Sequence, residues 1–438
     1  MVSRQSKFSA GRRRGNAMLV AILFSAITIS SAVAYLSVVS REIPQQAKRL
    51  DRNRVLELAD AGLEHALWRI NVDQDWWQTV CEDFVEGEQT DDAELFSPGD
   101  LFEDGEQYEV DIDHLTDTAS GRPTFFIQAT GIITRPLPDG REMQTLKTMA
   151  VMTRPEGFAD YARFVASGNL TYGAGAVLDG KVHTNGNLDV TSGTVDRPII
   201  FRRKVSTSGT VYGNVPNEVF FYDDLETGVP TVPLPESTDT YATLAQNGGI
   251  YYAPADPATS VSLDLSSITY PADFNGIIYC TKDIKVHGTP TRPVTLVSND
   301  DVYITDHIHQ GYDPRHVVGL IAKDYIYLDY STPDNLQINA ALLSINSSWK
   351  ALGSGSKYGL TIQGSIVTKY GGSAGPYLAG ERHYNYDRRL LYYMPPEFPD
   401  FPGGSYVLTA WIESPGETTW QTSGLVPPDI EGLLVYDY

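Results

Sequence analysis

An uncharged run of 25 residues, Asn16 to Ser40, constrains this chain more than any other segment. At about 1.5 Å per helical residue it can cross a hydrocarbon core of roughly 30 Å. Its flank carries Arg4, Lys7, Arg12, Arg13 and Arg14 with no acid. That asymmetry predicts a cytoplasmic N-terminus, with everything after Ser40 across the membrane. Three export signals fit such a run. Ala32-Val33-Ala34 satisfies the small-x-small rule for a cleaved secretory signal. A plain signal anchor needs only the apolar run. A leader cut after a Gly that follows basic residues would instead retain the apolar segment as the first half of a long helix. The residues that follow favour the third. From Gln45 to Ile70, Val55, Leu58, Ala59, Gly62, Leu63, Ala66, Leu67 and Ile70 recur at helical spacing. Only Pro44 interrupts, and a proline there bends rather than ends a helix. An ordinary anchor with a juxtamembrane helix is the plainer alternative.

Arg14-Gly15-Asn16-Ala17-Met18-Leu19-Val20, followed by Ala59-Asp60-Ala61-Gly62-Leu63-Glu64-His65-Ala66, resembles the PilX-type N-terminus of minor pilins and pilus-assembly proteins. The GspK-like minor pseudopilins of type II secretion share it. The resemblance covers about the first 70 residues. It implies cleavage by a prepilin peptidase after Gly15, leaving Asn16 as the new N-terminus. It also implies insertion in the bacterial inner membrane before assembly, and packing against other pilins through the N-terminal helix. Major pilins carry a Glu at the fifth mature position, which pairs with a neighbour's terminal amine. Here that position is Val20. A carboxylate in lipid is costly unless paired, so its loss removes one assembly contact and fits a tip or priming subunit.

The net charge is −22, and its placement is uneven. Between Arg69 and Arg122 there is no Lys or Arg, against seventeen Asp and Glu. Such a block argues against nucleic acid as a partner. Clustered carboxylates can hold Ca²⁺, but no EF-hand spacing is present, so a solvated linker is expected. Cys81 and Cys280 are the only cysteines. In an oxidising compartment they can pair. Cys280 also sits in the apolar run Gly276-Ile277-Ile278-Tyr279-Cys280, where a buried free thiol is equally natural.

Tyr108 to Ile112, Thr124 to Ile133 and Thr145 to Met152 read as three strands, with a turn at Pro138-Asp139-Gly140. An antiparallel meander on the second half of the long helix is the pilin head that the resemblance implies. From Phe158 onward helical periodicity vanishes. Short apolar pairs recur beside Gly and Asn, as in Gly180-Lys181-Val182, Gly186-Asn187-Leu188-Asp189-Val190 and Gly209-Thr210-Val211. Longer units follow, each opened by an Asp at 283, 301 or 324, spaced 18 and 23 residues apart. That is one coil of a parallel β-helix, right-handed by the preference of strand crossovers. A β-sandwich is the structural alternative. Gly180 to Asn187, Val318 to Asp324 with Pro333 to Leu336, and Tyr386 to Leu390 before Pro395 to Pro399 are similar to the β-helical domain that often follows PilX-type N-termini. This second likeness implies architecture only.

Chemistry is sparse. Asn299-Asp300-Asp301 resembles in outline the carboxylate cluster of pectin hydrolases, but the accompanying His loop and Arg-x-Lys motif are missing. Adjacent residues in a strand point to opposite faces, so this pair converges only if the chain turns there. His307-Ile308-His309 places two imidazoles on one side of an extended segment, with no third ligand near in sequence. His183 suits cross-coil hydrogen bonding better than catalysis. No catalytic, cofactor-binding or metal-binding residue is assigned. Among 26 tyrosines, Tyr384, Tyr386, Tyr392 and Tyr393 cluster and can supply flat contacts to a glycan or surface protein. The tail from Phe398 is expected to wrap the stack and shield its last edge.

The expected fold is α+β, mainly β. Its parts are a basic leader (1–15), a transmembrane and amphipathic helix (16–75), an acidic linker (76–105), a β meander (106–157), a β-helix (158–398) and a tail (399–438). The expected role is non-enzymatic: a subunit for assembly of a type IV pilus or type II secretion pseudopilus, with a tip or adhesive function. Its expected location is the inner membrane, then the pilus, periplasm or cell surface. A polysaccharide-binding or polysaccharide-cleaving β-helix anchored at the cell surface is the alternative. N-terminal sequencing of the mature protein should begin at Asn16; a start at Tyr35 would instead mark ordinary secretion.

Overall fold

The computed structural model describes residues 12–72, 93–96, 105–116, 123–136, 142–213, 215–256, 259–379, 381–402 and 406–413. Helix α1, Arg12–Val72, is continuous through Pro44. Its second half buries the anticipated stripe: Val55, Leu58, Ala59, Leu63, Ala66 and Ile70. They pack on an antiparallel sheet of β1 (Ala93–Phe96), β2 (Glu106–Thr116), β3 (Pro123–Pro136) and β4 (Glu142–Pro155). Alternation along these strands sends Tyr108, Val110, Ile112, Phe125, Ile127, Ala129, Met149 and Val151 to the helix side. Two glycines allow the close approach. A Cβ on Gly62 would press on Ala129 and Tyr108, and one on Gly131 would lie 1.9 Å from the Val55 carbonyl oxygen. The stretch given above as an acidic linker contributes β1, and the Pro138-Asp139-Gly140 turn lies outside the described residues.

Beyond Pro155 the chain winds a parallel β-solenoid. One long ladder uses β5 (Tyr161–Val165), β6 (Lys181–Thr184), β7 (Val205–Thr207), β8 (Leu225–Thr227), β9 (Ile250–Tyr252), β10 (Ile277–Cys280), β11 (Val294–Ser298), β12 (Val318–Ala322), β13 (Asn335–Ser344) and β14 (Gly359–Thr368). Every pairing in it is parallel, which excludes the β-sandwich. Coil spacing produces vertical columns. Ile278, Leu296, Leu320, Leu342 and Ile366 stack inside the coil at separations of 18, 24, 22 and 24 residues. Two positions on, Ser298, Ser344, Thr184 and Thr207 turn the corner by donating to carbonyls of Lys282, Asp324, Gly168 and Gly186. Their buried hydroxyls are thereby satisfied.

Stacking order is not chain order. In space the ladder runs β8-β7-β6-β5-β14-β13-β12-β11-β10-β9. The first coil therefore lies in the middle. One arm grows outward from β5 to β8. Residues 228–249, including helix α2 (Asp239–Gln246), then travel to the far end, and a second arm coils back until β14 meets β5. The return segment is pinned as it passes: Asn185 exchanges two hydrogen bonds with the Val232 backbone, Thr238 donates to Asn299, and Asn275 donates to the Leu244 carbonyl.

The outer face of the long ladder is buried as well. Tyr279, Val297, Ile321, Leu343, Val367 and Phe164 lie beneath the return segment and residues 386–401. Both faces being covered, β10, β11 and β12 are buried at every position instead of alternately, and are apolar apart from Thr295 and Ser298. The tail corrects the expectation of an edge shield. Its first residues lie across this outer face, where Phe398 and Phe401 pack, just beyond Pro396, whose carbonyl accepts from Thr295. Its last described strand, β15 (Tyr406–Glu413), instead pairs antiparallel with β4 in the head sheet. The head and solenoid meet at Arg154, which grips Asp160 with both terminal nitrogens (2.5 and 2.9 Å) and donates to the Leu390 and Leu391 carbonyls. Gly131→Ala should push β3 off α1 and cost about 1–3 kcal/mol, read as a lower thermal midpoint of the full chain.

Candidate functional site

The first candidate surface is the N-terminal half of α1. Ala21–Val39 is 19 residues long with mean hydropathy 2.0, and none of it is buried. Ile22, Phe24, Val33 and Leu36 are all more than half exposed. Thr28 donates to the Phe24 carbonyl one turn back at 2.8 Å, so its hydroxyl is satisfied within the helix. This helix is long and apolar enough to cross a membrane. Gly15 and Asn16 lie near its start, in the first turn and a half.

The second is an acidic corner of the solenoid. The chain does turn at Asn299–Asp300, so the two adjacent carboxylates do not diverge. Oxygens of Asp283, Asp300 and Asp301 all lie within 4.8 Å of one another. The aligned aspartates form a ladder: Asp283 accepts from the Asp301 amide at 3.2 Å, and Asp301 from the Tyr325 amide at 2.7 Å. In the other arm Asn performs this task, Asn169 accepting from Asn187 and Asn187 from Thr210. The fold therefore needs an oxygen acceptor at this corner but not a charge. Burial first, then the neighbouring acids, raises Asp301 to about 6, and burial also raises Asp283. Three oxygens suit a hard cation in kind, but Ca²⁺ takes six to eight, and two of these carboxylates already accept amides.

Beside the corner, Tyr303 and Tyr327 stack at 5.1 Å and Tyr325 stacks on Tyr327 at the same distance. Burial and the acids push Tyr303 to about 12. These rings were not singled out in the sequence, although Val302-Tyr303-Ile304 and Ile326-Tyr327-Leu328 place Tyr at matched positions of aligned units. Tyr384, Tyr386, Tyr392 and Tyr393 form no common surface. Tyr386 is 6% exposed within the outer-face core, Tyr393 packs against that core, and Tyr384 packs inside the coil against Trp349. Tyr392 is half-buried. Their clustering in sequence is divided in space between the two sides of the sheet.

His183 is buried and stacked on Phe164. Its Nε2 meets Asn185 Oδ1 at 2.9 Å and its Nδ1 meets Ser206 at 2.8 Å on the next coil. Because Asn185 Oδ1 also accepts from the Val232 amide, Nε2 is the protonated nitrogen and Nδ1 accepts from Ser206. Burial lowers the imidazole, keeping it neutral. This is the anticipated cross-coil bond. His307 and His309 stack at 5.0 Å, but His307 Nδ1 accepts from the Gln337 amide. Among the described residues no third ligand joins them. Cys280 is a buried free thiol; Cys81 lies outside the described residues. A cleft of about 360 Å³ opens under the return segment, between Val232–Glu236 and Ser167, Asn185, Asn346 and Lys369.

The fold defines the class: a parallel β-solenoid protein carried behind a long N-terminal helix and a small antiparallel sheet. Comparison with protein-family models, curated proteins and solved structures finds no match. An acid whose folded pKa is raised favours the folded state when protonated, so stability falls as pH rises from the unfolded value near 4 to about 6. Asp301→Asn keeps the oxygen acceptor and removes the charge. It should raise thermal stability at pH 7.5 by roughly 1 kcal/mol, allowing for solvent screening. That advantage should vanish near pH 4; a variant less stable at pH 7.5 would contradict the charge accounting.

Proposed function

We propose that this protein is a pilin-like subunit of a type IV pilus or type II secretion pseudopilus. In this reading α1 inserts in the bacterial inner membrane after prepilin peptidase processing and packs against other pilins. The solenoid stands outside the cytoplasm as a head for assembly or adhesion, without chemistry of its own. One observation carries the proposal. A single helix leaves its first half apolar and exposed while its second half is sealed onto a four-strand antiparallel meander. An anchor alone has no need of that continuity, whereas a subunit that packs helix against helix does. Val20 at the fifth mature position supports a tip or priming place over a shaft place.

The acidic corner and its tyrosine stack favour a second reading, a surface-anchored protein that binds or cleaves polysaccharide. Aromatic faces beside carboxylates suit sugar rings, and two carboxylates can hydrolyse a glycosidic bond when they flank it. Against cleavage, Asp283 and Asp301 are spent as backbone acceptors.

Replacing residues 16–40 with an unrelated Leu-rich span separates anchoring from assembly. The chimera should remain in the membrane but fail to enter surface fibres; equal incorporation would sink the pilin reading. Depolymerisation of an acidic glycan by the wild-type protein, lost in Asp300→Ala with Asp301→Ala, would favour the second reading instead.

A further inference from the structure

The two arms of the solenoid join at one layer, and its interior is chemically unlike every other layer. The inward aliphatic column runs Ile278, Leu296, Leu320, Leu342, Ile366 in one arm and Val182, Val205, Leu225 in the other. Between Ile366 and Val182 the same position is Arg163. Its side chain points into the coil and is 9% exposed. The apolar interior is correspondingly split into two clusters, one on either side of this layer.

A guanidinium offers five N–H donors and stays charged in proteins. Arg163 spends one, on the Ile366 carbonyl at 3.3 Å. Buried cations are normally matched by a carboxylate. Among the described residues the charged or polar groups acting on Arg163 are Tyr172 and Tyr384, and neither is a carboxylate. Two further polar groups of this layer are unmet. The Tyr172 hydroxyl is buried without a partner, and so is the Thr368 hydroxyl. Thr368 sits at the corner position from which Ser298, Ser344, Thr184 and Thr207 donate to the preceding coil, but its own hydroxyl makes no such bond. Donors thus gather at one level: Arg163 on β5, Thr368 at the end of β14, Tyr172 later in the same coil as β5, and Tyr384 in register with Ile362 of β14. Tyr384 lies on the strand Glu381–Asn385, which also carries Arg382 in register with the inward Leu360. Arg382 is exposed, a second cation on the strand that carries Tyr384.

We propose that this seam is a binding site for one small oxyanion of the inorganic phosphate class, held by Arg163 with the Tyr172 and Thr368 hydroxyls. An oxyanion supplies the missing counter-charge and several acceptor lone pairs at once. Chloride would meet the charge but not the spread of donors. A water would meet donors but not the charge. Bound there, the anion ties the two arms together from inside the coil, beneath the strand pairing that joins them.

The test uses the full chain in detergent, titrated with potassium phosphate against potassium chloride at matched ionic strength. Phosphate stabilises many proteins weakly and without saturation, so the reading is a saturable isotherm by calorimetry together with a thermal midpoint that rises in step. Arg163→Met should weaken phosphate binding at least tenfold and remove the saturable rise. Tyr172→Phe, which deletes only the unmet hydroxyl, should weaken binding several-fold with the fold intact. It decides the matter if the arginine variant does not fold. No saturable binding by the wild type, an equal response to chloride, or wild-type affinity in a folded Arg163→Met or in Tyr172→Phe would each overturn the assignment.

Discussion

The pairing of Ile366, Val367 and Thr368 with Arg163, Phe164 and Val165 holds the rest of the solenoid together. It joins segments 203 residues apart, as measured by the Arg163–Ile366 hydrogen bond. Without it the two arms would be separate short stacks, each exposing an unpaired parallel edge. Closing so long a loop costs entropy that grows only slowly with length, and pairings of such sequence separation are the kind that slow folding. The return segment and the outer cover then lie across the outer face, fastened at Asn185 and Thr295, while Ser365 of β14 donates to the Tyr161 carbonyl of β5 across the joint itself.

The junction between head and solenoid has a different physical character. Arg154 and Asp160 are both almost fully buried, and the pair is bidentate. Asp160 also caps the Gly157 amide, and Arg154 reaches two carbonyls of the covering segment. Such a pair adds little over apolar packing, but removing one member strands the other charge. With β15 laid beside β4, it couples the sheet that rides on α1 to the solenoid at two points. A force or displacement delivered through α1 would therefore reach the solenoid through packed elements.

Polar residues that look chemical in the sequence are mostly occupied in holding coils together. Asp283, Asp301, His183, His307 and Asn187 each bond a neighbouring coil. This follows from solenoid geometry: each corner leaves backbone amides that the ladder cannot pair, and short polar side chains satisfy them. The exceptions are instructive. Asp at a corner where Asn suffices, and Arg in a column where Leu suffices, place charge that the fold does not require.

Much was legible from local order. The apolar run and the Val55–Ile70 stripe gave α1, because helix period and membrane length are properties of neighbouring residues. Alternation gave β2, β3 and β4, and the 18- and 23-residue spacing of Asp283, Asp301 and Asp324 gave the coil, since each turn repeats the same corner. What sequence could not carry was the order of stacking. The coils on either side of β5 present similar aliphatics at their inward positions, and one Arg163 does not say which of them it meets, so nothing local tells whether β5 pads an end or sits between β6 and β14. The fates of β15 and of the Tyr384–Tyr393 cluster were likewise hidden, because a strand or ring takes its burial from whatever segment arrives to cover it. Arg163 shows the division best. In sequence it is one arginine in Tyr-Ala-Arg-Phe-Val; only the meeting of two distant arms encloses it, and burial gives that charge its meaning.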